Sequence, residues 1–267
     1  MMRRPVVAGR FYEGSKAGLQ KEVASFCKEE EVKEKVIGLI APHAGFIYSG
    51  KVAGACYSKV EIPEKVVILG PNHTGQGEPA AMMSEGSWQT PLGEVEIDSD
   101  LARAILKNSD RIKEDHLAHI NEHSIEVQLP FLQYLKDFFK FVPICIGYLD
   151  FETYKQIGRA VASGIKQSGE DVLIVASSDM THYESQSEAE RKDKIAISAI
   201  LKLDEGRLFD KIRELNITMC GYAPTIAMMV AAKELGAKEA RLVKYMTSGE
   251  TSGDYARVVG YAGIVIK

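Results

Sequence analysis

The stretch Leu39–Gly50, LIAPHAGFIYSG, ends an apolar run in Ala-Pro and then places His43 before a glycine- and aromatic-rich turn. The same plan recurs at Val66–Gly75, VVILGPNHTG, where His73 follows an apolar run and a proline. It recurs again at Val175–Tyr183, VASSDMTHY, with Ser177, Ser178, Asp179 and His182 beyond the run. Continuous apolar, β-branched runs of this length read as strands buried on both faces. In open α/β sheets, ligands bind beyond the carboxyl ends of such strands. Three of the six histidines therefore fall at one rim of one sheet, and the glycines after the first two let the backbone turn there.

Working outward, Val36–Ala41, Lys65–Leu69, Phe139–Ile146, Asp171–Ser177 and Val258–Ile266 are the expected strands. Helical patterns lie between them. Ser15 is placed to cap a helix whose Leu19, Val23, Phe26 and Cys27 share a face. Ser99–Leu106, Phe151–Ile165, Ser187–Leu203 and Pro224–Leu235 behave similarly, the last closed by Gly236. Within Pro79–Ile97, the alternating pieces around Pro91 and Gly93 predict a hairpin. Strands alternating with helices imply an α/β fold around a central mixed or mainly parallel sheet flanked by helices. No linker or repeat divides the chain, so one domain over residues 1–267 is expected.

Composition narrows the function classes. With 45% hydrophobic and 26% charged residues the chain reads as an ordinary soluble globular protein. A net charge of -4 and no long Lys/Arg block argue against a nucleic-acid partner. No apolar run approaches the roughly 18–20 residues of a membrane span, and the start, MMRRPVVAGRFYEG, lacks a signal-peptide core. Cys27, Cys56, Cys145 and Cys220 are far apart with no CxxC spacing, which points to a reducing cytoplasm and away from a cysteine-rich zinc site.

A histidine after a strand is commonly a loop residue bonded to backbone. Three at equivalent strand ends, with Asp179 beside the third, point instead to a transition-metal site, since neutral imidazole is a common ligand for Zn, Fe and Cu. In HINEHSIEVQLPFLQYL (His119–Leu135), His123 reads either as part of a helix start near the capping Ser124 or as a residue over the same pocket. Cys220, in TMCGYAP, reads either as a reactive group beside a histidine or as a small buried residue at a helix start. TSGETSGDY (Thr247–Tyr255) has neither a Walker pattern nor GxGxxG, but its Glu250 and Asp254 could reach a site built by other loops.

The motifs RPVVAGRFYEG, APHAGFIYSG, LGPNHTG, EHSIEVQLPFLQ, SSDMTHY, CGYAPT and the SGD…VVGYAG close occur in order along the chain and resemble the Memo family. The resemblance implies a fold similar to the class III extradiol dioxygenases, which hold a non-haem iron with two histidines and a carboxylate. It implies His43 and His73 as metal ligands, His182 as an acid/base and Asp179 as a pocket residue. Animal members are linked to copper and iron, redox control and phosphotyrosine peptides, and microbial ones to a radical-SAM system. The animal members' third pocket ligand is a cysteine, which this reading aligns with Thr251. The expected metal set is therefore His43, His73 and Glu250, with Asp179 or Thr251 as the alternative third donor; His182 and Asp179 are the catalytic pair, and His123 and Cys220 are further cofactor-binding candidates. The expected cofactor is iron or copper. Three activities follow: an oxidoreductase on a small molecule or side chain, an accessory protein using the cleft for a peptide or radical-SAM-system partner, or a zinc hydrolase.

Overall fold

The apolar runs become the centre of the sheet, and their order decides which loops meet. The computed structural model describes residues 1–28 and 32–267. The first half contains β1 (Met2–Arg3), α1 (Lys16–Phe26), β2 (Gly38–Ala41), α2 (Phe46–Ser58), β3 (Lys65–Pro71), β4 (Ala80–Met82), β5 (Ser87–Thr90) and β6 (Gly93–Glu96). There follow α3 (Ser99–Lys107), β7 (Lys113–Glu114), α4 (Leu117–Ile120), α5 (Leu129–Leu135), β8 (Lys140–Ile146), α6 (Phe151–Ser168), β9 (Val172–Ser177) and β10 (His182–Glu184). The chain closes with α7 (Gln186–Leu201), α8 (Glu205–Glu214), α9 (Tyr222–Glu234), β11 (Ala240–Thr247), α10 (Gly249–Ser252) and β12 (Val258–Ile266).

The main sheet runs β10-β12-β2-β9-β3-β8-β4-β7, with β11 paired to β12. Its middle, β2-β9-β3-β8, is parallel, while β12 and β4 flank it antiparallel. The sheet is thus mixed around a parallel core. Because strand side chains alternate, each central strand feeds both layers. Ile40, Val67, Leu69, Val142 and Ile174 pack with α3, α6 and α9 on one face. Leu39, Val66, Ile68, Phe141 and Val175 pack with α1, α2, α5 and Trp88 on the other. Among the described residues, no helix is long and apolar enough to cross a membrane.

Local signals hold where they have a specific chemistry. Ser15 caps α1 by accepting the Gly18 N–H, and Leu19 and Val23 are buried. The hairpin forms as β5–β6, joined to β1 in a small separate sheet, with Gly93 at φ 139°. Several elements depart from expectation, among them α2, α8 and β11. The expected turn after His43 is only Ala44 and Gly45, and α2 begins at once. α8 follows α7 as its own helix, and β11 is a strand whose exposed and charged positions hid it.

The reason α2 escaped notice is tertiary. Its Gly50 and Gly54 weaken a helix taken alone, yet a Cβ on Gly50 would lie 2.5 Å from the Phe26 ring. One on Gly54 would lie 2.6 Å from the Phe26 backbone. The glycines let α1 and α2 touch. Gly54→Ala should therefore destabilise the protein by about 1–3 kcal/mol through overpacking, although propensity favours alanine by roughly 1 kcal/mol. Urea unfolding checks the sign, and a variant more stable than the parent would contradict this packing.

Candidate metal centre

β2, β9 and β3 are adjacent and parallel, so the loops after Ala41, Ser177 and Pro71 open at one edge. His43 is buried there, and its tautomer follows from the Ser177 hydroxyl. Ser177 Oγ donates its only proton to the Ser124 carbonyl at 2.6 Å and accepts from Gln128 Nε2 at 2.8 Å. Toward His43 Nδ1, 2.9 Å away, it can only accept. Nδ1 therefore carries the proton and Nε2 is left with a lone pair. Burial, aided by the neighbouring histidines, holds His43 well below the usual histidine range, so the ring is neutral.

His73 is fixed by a carboxylate. Glu122, fully buried, accepts the His73 amide at 2.5 Å and His73 Nδ1 at 2.9 Å. The same carboxylate accepts the amides of His123 and Ser124, both at 2.9 Å. Burial alone would raise its pKa, but the His73 bond, the His73 and His123 charges and the amide donors hold it down at about 2. An ionised carboxylate only accepts, so His73 Nδ1 donates and Nε2 is free. His123 stacks on His73 with centroids 4.9 Å apart and 18° between planes, and Phe11 packs edge-to-face against His123. His123 therefore satisfies both readings: it opens the helical segment and it walls the pocket.

Cys220 supplies the third side. Its Sγ lies 3.1 Å from His43 Nε2 and accepts the Asp179 N–H at 3.3 Å. Burial pushes the thiol well above its ordinary range, the Asp179 charge adding to this. The S–H thus points its proton at the His43 lone pair. Such proximity needs Gly221, whose absent Cβ would fall 2.3 Å from the Ser177 carbonyl. Asp179 Oδ1 accepts the amides of His43 at 2.7 Å and Ala44 at 3.3 Å, and burial raises its carboxyl. His182 Nδ1 lies 2.8 Å from the Met180 carbonyl and 2.9 Å from that of Thr218, so it must donate, leaving Nε2 open.

Among the described residues, three groups place ligating atoms within 4.8 Å of one another: His43–His73–Cys220, His73–Glu122–His123 and Asp179–His182–Cys220. In the second, Glu122 is already occupied by four N–H donors. The first has two imidazoles with Nδ1 tied back and a thiol within reach, and this mixed N/S set fits a transition ion. All of His43, His73, His123, Asp179, His182 and Cys220 are thus brought together.

Glu250, the expected third ligand, is not. It is exposed, its Oε1 accepts the Thr247 N–H at 3.0 Å, and it belongs to none of the three groups. The segment is the helical turn α10 rather than an extended piece, so the carboxylate turns back on its own backbone. Thr251 Oγ1 is buried without a partner, and Asp254 accepts the Ala256 amide in its own loop. The cysteine that comes near His43 and His73 is Cys220, while position 251 is a threonine in the α10 turn. Sequence reasoning underrated Cys220 because its neighbour in space, His43, is 177 residues away; the CG pair before a helix was the available signal.

The family model described as Memo-like protein matches residues 3–265. A MEMO1 family protein of Methanococcoides burtonii is 47% identical over 268 residues, covering the whole of both chains. One of Aquifex aeolicus is also 47% identical, with 99% of this chain and 98% of that protein covered. One of Methanopyrus kandleri is 43% identical over 282 residues, covering 100% of this chain and 99% of the relative. A solved structure of an uncharacterized protein from Escherichia coli K12 aligns with 85% of this chain and 99% of its own, with TM-score 0.58 and 12% identity. At that identity it bears on the fold alone.

Neutral buried histidines make stability pH-dependent. His119, fully buried, is held at about 4 by burial and by the Arg3 charge. Below about pH 6.5 the unfolded chain takes up a proton that the folded one refuses. The contribution is complete above that pH and is lost as pH falls toward 4, about 3 kcal/mol for His119 alone. His43 acts in the same direction, whereas Glu122 loses its contribution only below the ordinary carboxylate range. The thermal midpoint of the metal-free protein should fall steadily from pH 7 to 4, and less steeply in His119→Leu. A flat profile would contradict these protonation states.

Proposed function

The chain belongs to the Memo-like family, and from that premise we propose a metal-binding, oxidoreductase-like protein whose single iron or copper ion is held by His43 Nε2, His73 Nε2 and Cys220 Sγ. The observation that carries this reading is the convergence of the three donors, with both Nδ1 atoms already committed to Ser177 and Glu122. Iron or copper bound there would supply electron-transfer chemistry that protein side chains lack. The chain's own part is proton handling and positioning. The Cys220 thiol must release its proton for sulfur to act as a ligand, so binding strengthens as pH rises. His182, its Nδ1 proton given to two carbonyls, presents Nε2 as an acid/base near Cys220. Asp179 holds the His43 loop by its amides. The four unpaired cysteines suit a reducing compartment, and a cytoplasmic location is part of this proposal.

A second reading, a binding or accessory protein using the same cleft for a peptide or small molecule, draws on Tyr183. This exposed ring beside His182 sits at φ 60°, a strained conformation for a bulky side chain.

Anaerobic competition titrations with Cu(I) and Fe(II) test the centre. His43→Ala/His73→Ala and Cys220→Ser should each lose more affinity than the ~10–100-fold typical of an outer partner. His182→Gln and Glu250→Gln should bind like the parent. Wild-type uptake by the double histidine variant would remove the metal reading. Zinc retention with no O₂ consumption would favour hydrolysis, and a metal-free protein that binds partners would favour the accessory role.

A further inference from the structure

Arg3 lies far from the pocket in sequence and touches none of its donor atoms, yet it holds the segment that carries two of the pocket's walls. Its guanidinium is buried and spans three acceptors: the Glu126 carboxylate at 2.5 Å, the Glu122 carbonyl at 2.5 Å and the His119 carbonyl at 2.9 Å. The group lies 4.2 Å above the Trp88 ring. Glu126, also fully buried, accepts in turn the amides of Val6 at 2.9 Å and Val7 at 3.1 Å and the Tyr12 hydroxyl at 2.6 Å. Residues 3–12 are thereby strapped onto residues 119–126. The strap then reaches the other wall: the Phe11 carbonyl accepts the Phe46 amide at 2.7 Å, three residues beyond His43.

We infer that Arg3 is a positioning residue of the metal centre, setting the orientation of His73 through the backbone of Glu122. The chain of contacts is short. Arg3 Nη2 fixes the Glu122 carbonyl, and the Glu122 carboxylate fixes His73 at both its amide and Nδ1. Each acceptor takes a different guanidinium nitrogen, Nε, Nη1 or Nη2, a spread that the single nitrogen of a lysine cannot reproduce. The glycine-free, proline-bearing start of the strap (Arg4–Pro5–Val6–Val7) offers little slack between Arg3 and the two amides on Glu126. A buried ion pair used only for stability would tolerate apolar replacement without effect on a remote site; this one ends on the carbonyl of the residue that orients a ligand.

The inference rests on the metal-centre proposal, and its test has one arm that does not. In the metal-free protein, Arg3→Met should speed amide hydrogen exchange at His73, His123 and Ser124, the three donors to Glu122, by about tenfold or more relative to core β-strand amides. In the second arm, Co(II) is titrated in and its thiolate and ligand-field absorption followed. Arg3→Met should weaken Co(II) binding by about 10–100-fold, the range for outer-shell partners. Arg3→Lys should recover little of it. Tyr12→Phe, which removes one bond to Glu126 and spares the fold, should move both readouts the same way by a smaller factor. Val23→Ala, a cavity in the same core on α1, is the control and should lower the thermal midpoint while leaving affinity and spectrum unchanged. Parental exchange and affinity in both Arg3→Met and Tyr12→Phe would overturn the inference, and so would an equal affinity loss in Val23→Ala. A parent chain that takes up no Co(II) would overturn the metal-centre proposal instead, leaving the exchange arm to decide the strap.

Discussion

A carboxylate removed from water must be surrounded by donors, and the environment of Glu122 is arranged by that requirement. Its two oxygens receive three backbone N–H groups and one imidazole N–H. Leaving such an anion unpaired would cost several kcal/mol. The donors come from two places, the loop after β3 and the segment before α5, so satisfying the charge forces these to meet. The same bonds choose the tautomer of His73. One desolvated charge therefore closes the fold locally and prepares a ligand atom.

His43 reaches the same state by a neutral route. The Ser177 hydroxyl has one proton, and the Ser124 carbonyl takes it. Gln128, whose own carbonyl oxygen accepts the Tyr57 hydroxyl at 2.9 Å, turns its amide N–H toward Ser177 and the Pro42 carbonyl. This leaves His43 Nδ1 no option but to donate. The two imidazoles are thus oriented by two networks, one ionic and one uncharged, that meet at Ser124, whose amide donates to Glu122 and whose carbonyl accepts from Ser177.

The proton inventory of the pocket has a direction. Burial keeps His43 neutral and pushes the Cys220 thiol and the Asp179 carboxyl upward. The charges that act on Asp179 and Cys220 are those of neighbouring histidines and of Asp179 itself, beside backbone amides that donate to them. A cation bound among these acceptor atoms would release protons. The fold shared with the distant Escherichia coli structure does not by itself carry that chemistry to this chain.

The sequence by itself determined the parallel core, the rim on which His43, His73, Asp179 and His182 stand, the Ser15 cap and the β5–β6 hairpin. These are legible because each rests on period, composition or a cap within a few residues. It did not determine α2, whose glycines make sense only against Phe26, or β11, half-exposed beside β12. The expected third donor, Glu250, lies outside the three groups of ligating atoms for the same reason. Glu250 has the right chemistry but spends it on the Thr247 amide three residues away. Cys220 has no local sign of function and comes within 3.1 Å of His43, 177 residues distant, because Gly221 lets its turn lie against Ser177. Whether a polar group is free to act depends on which distant donors and acceptors fold against it, and that was decided only by the tertiary structure.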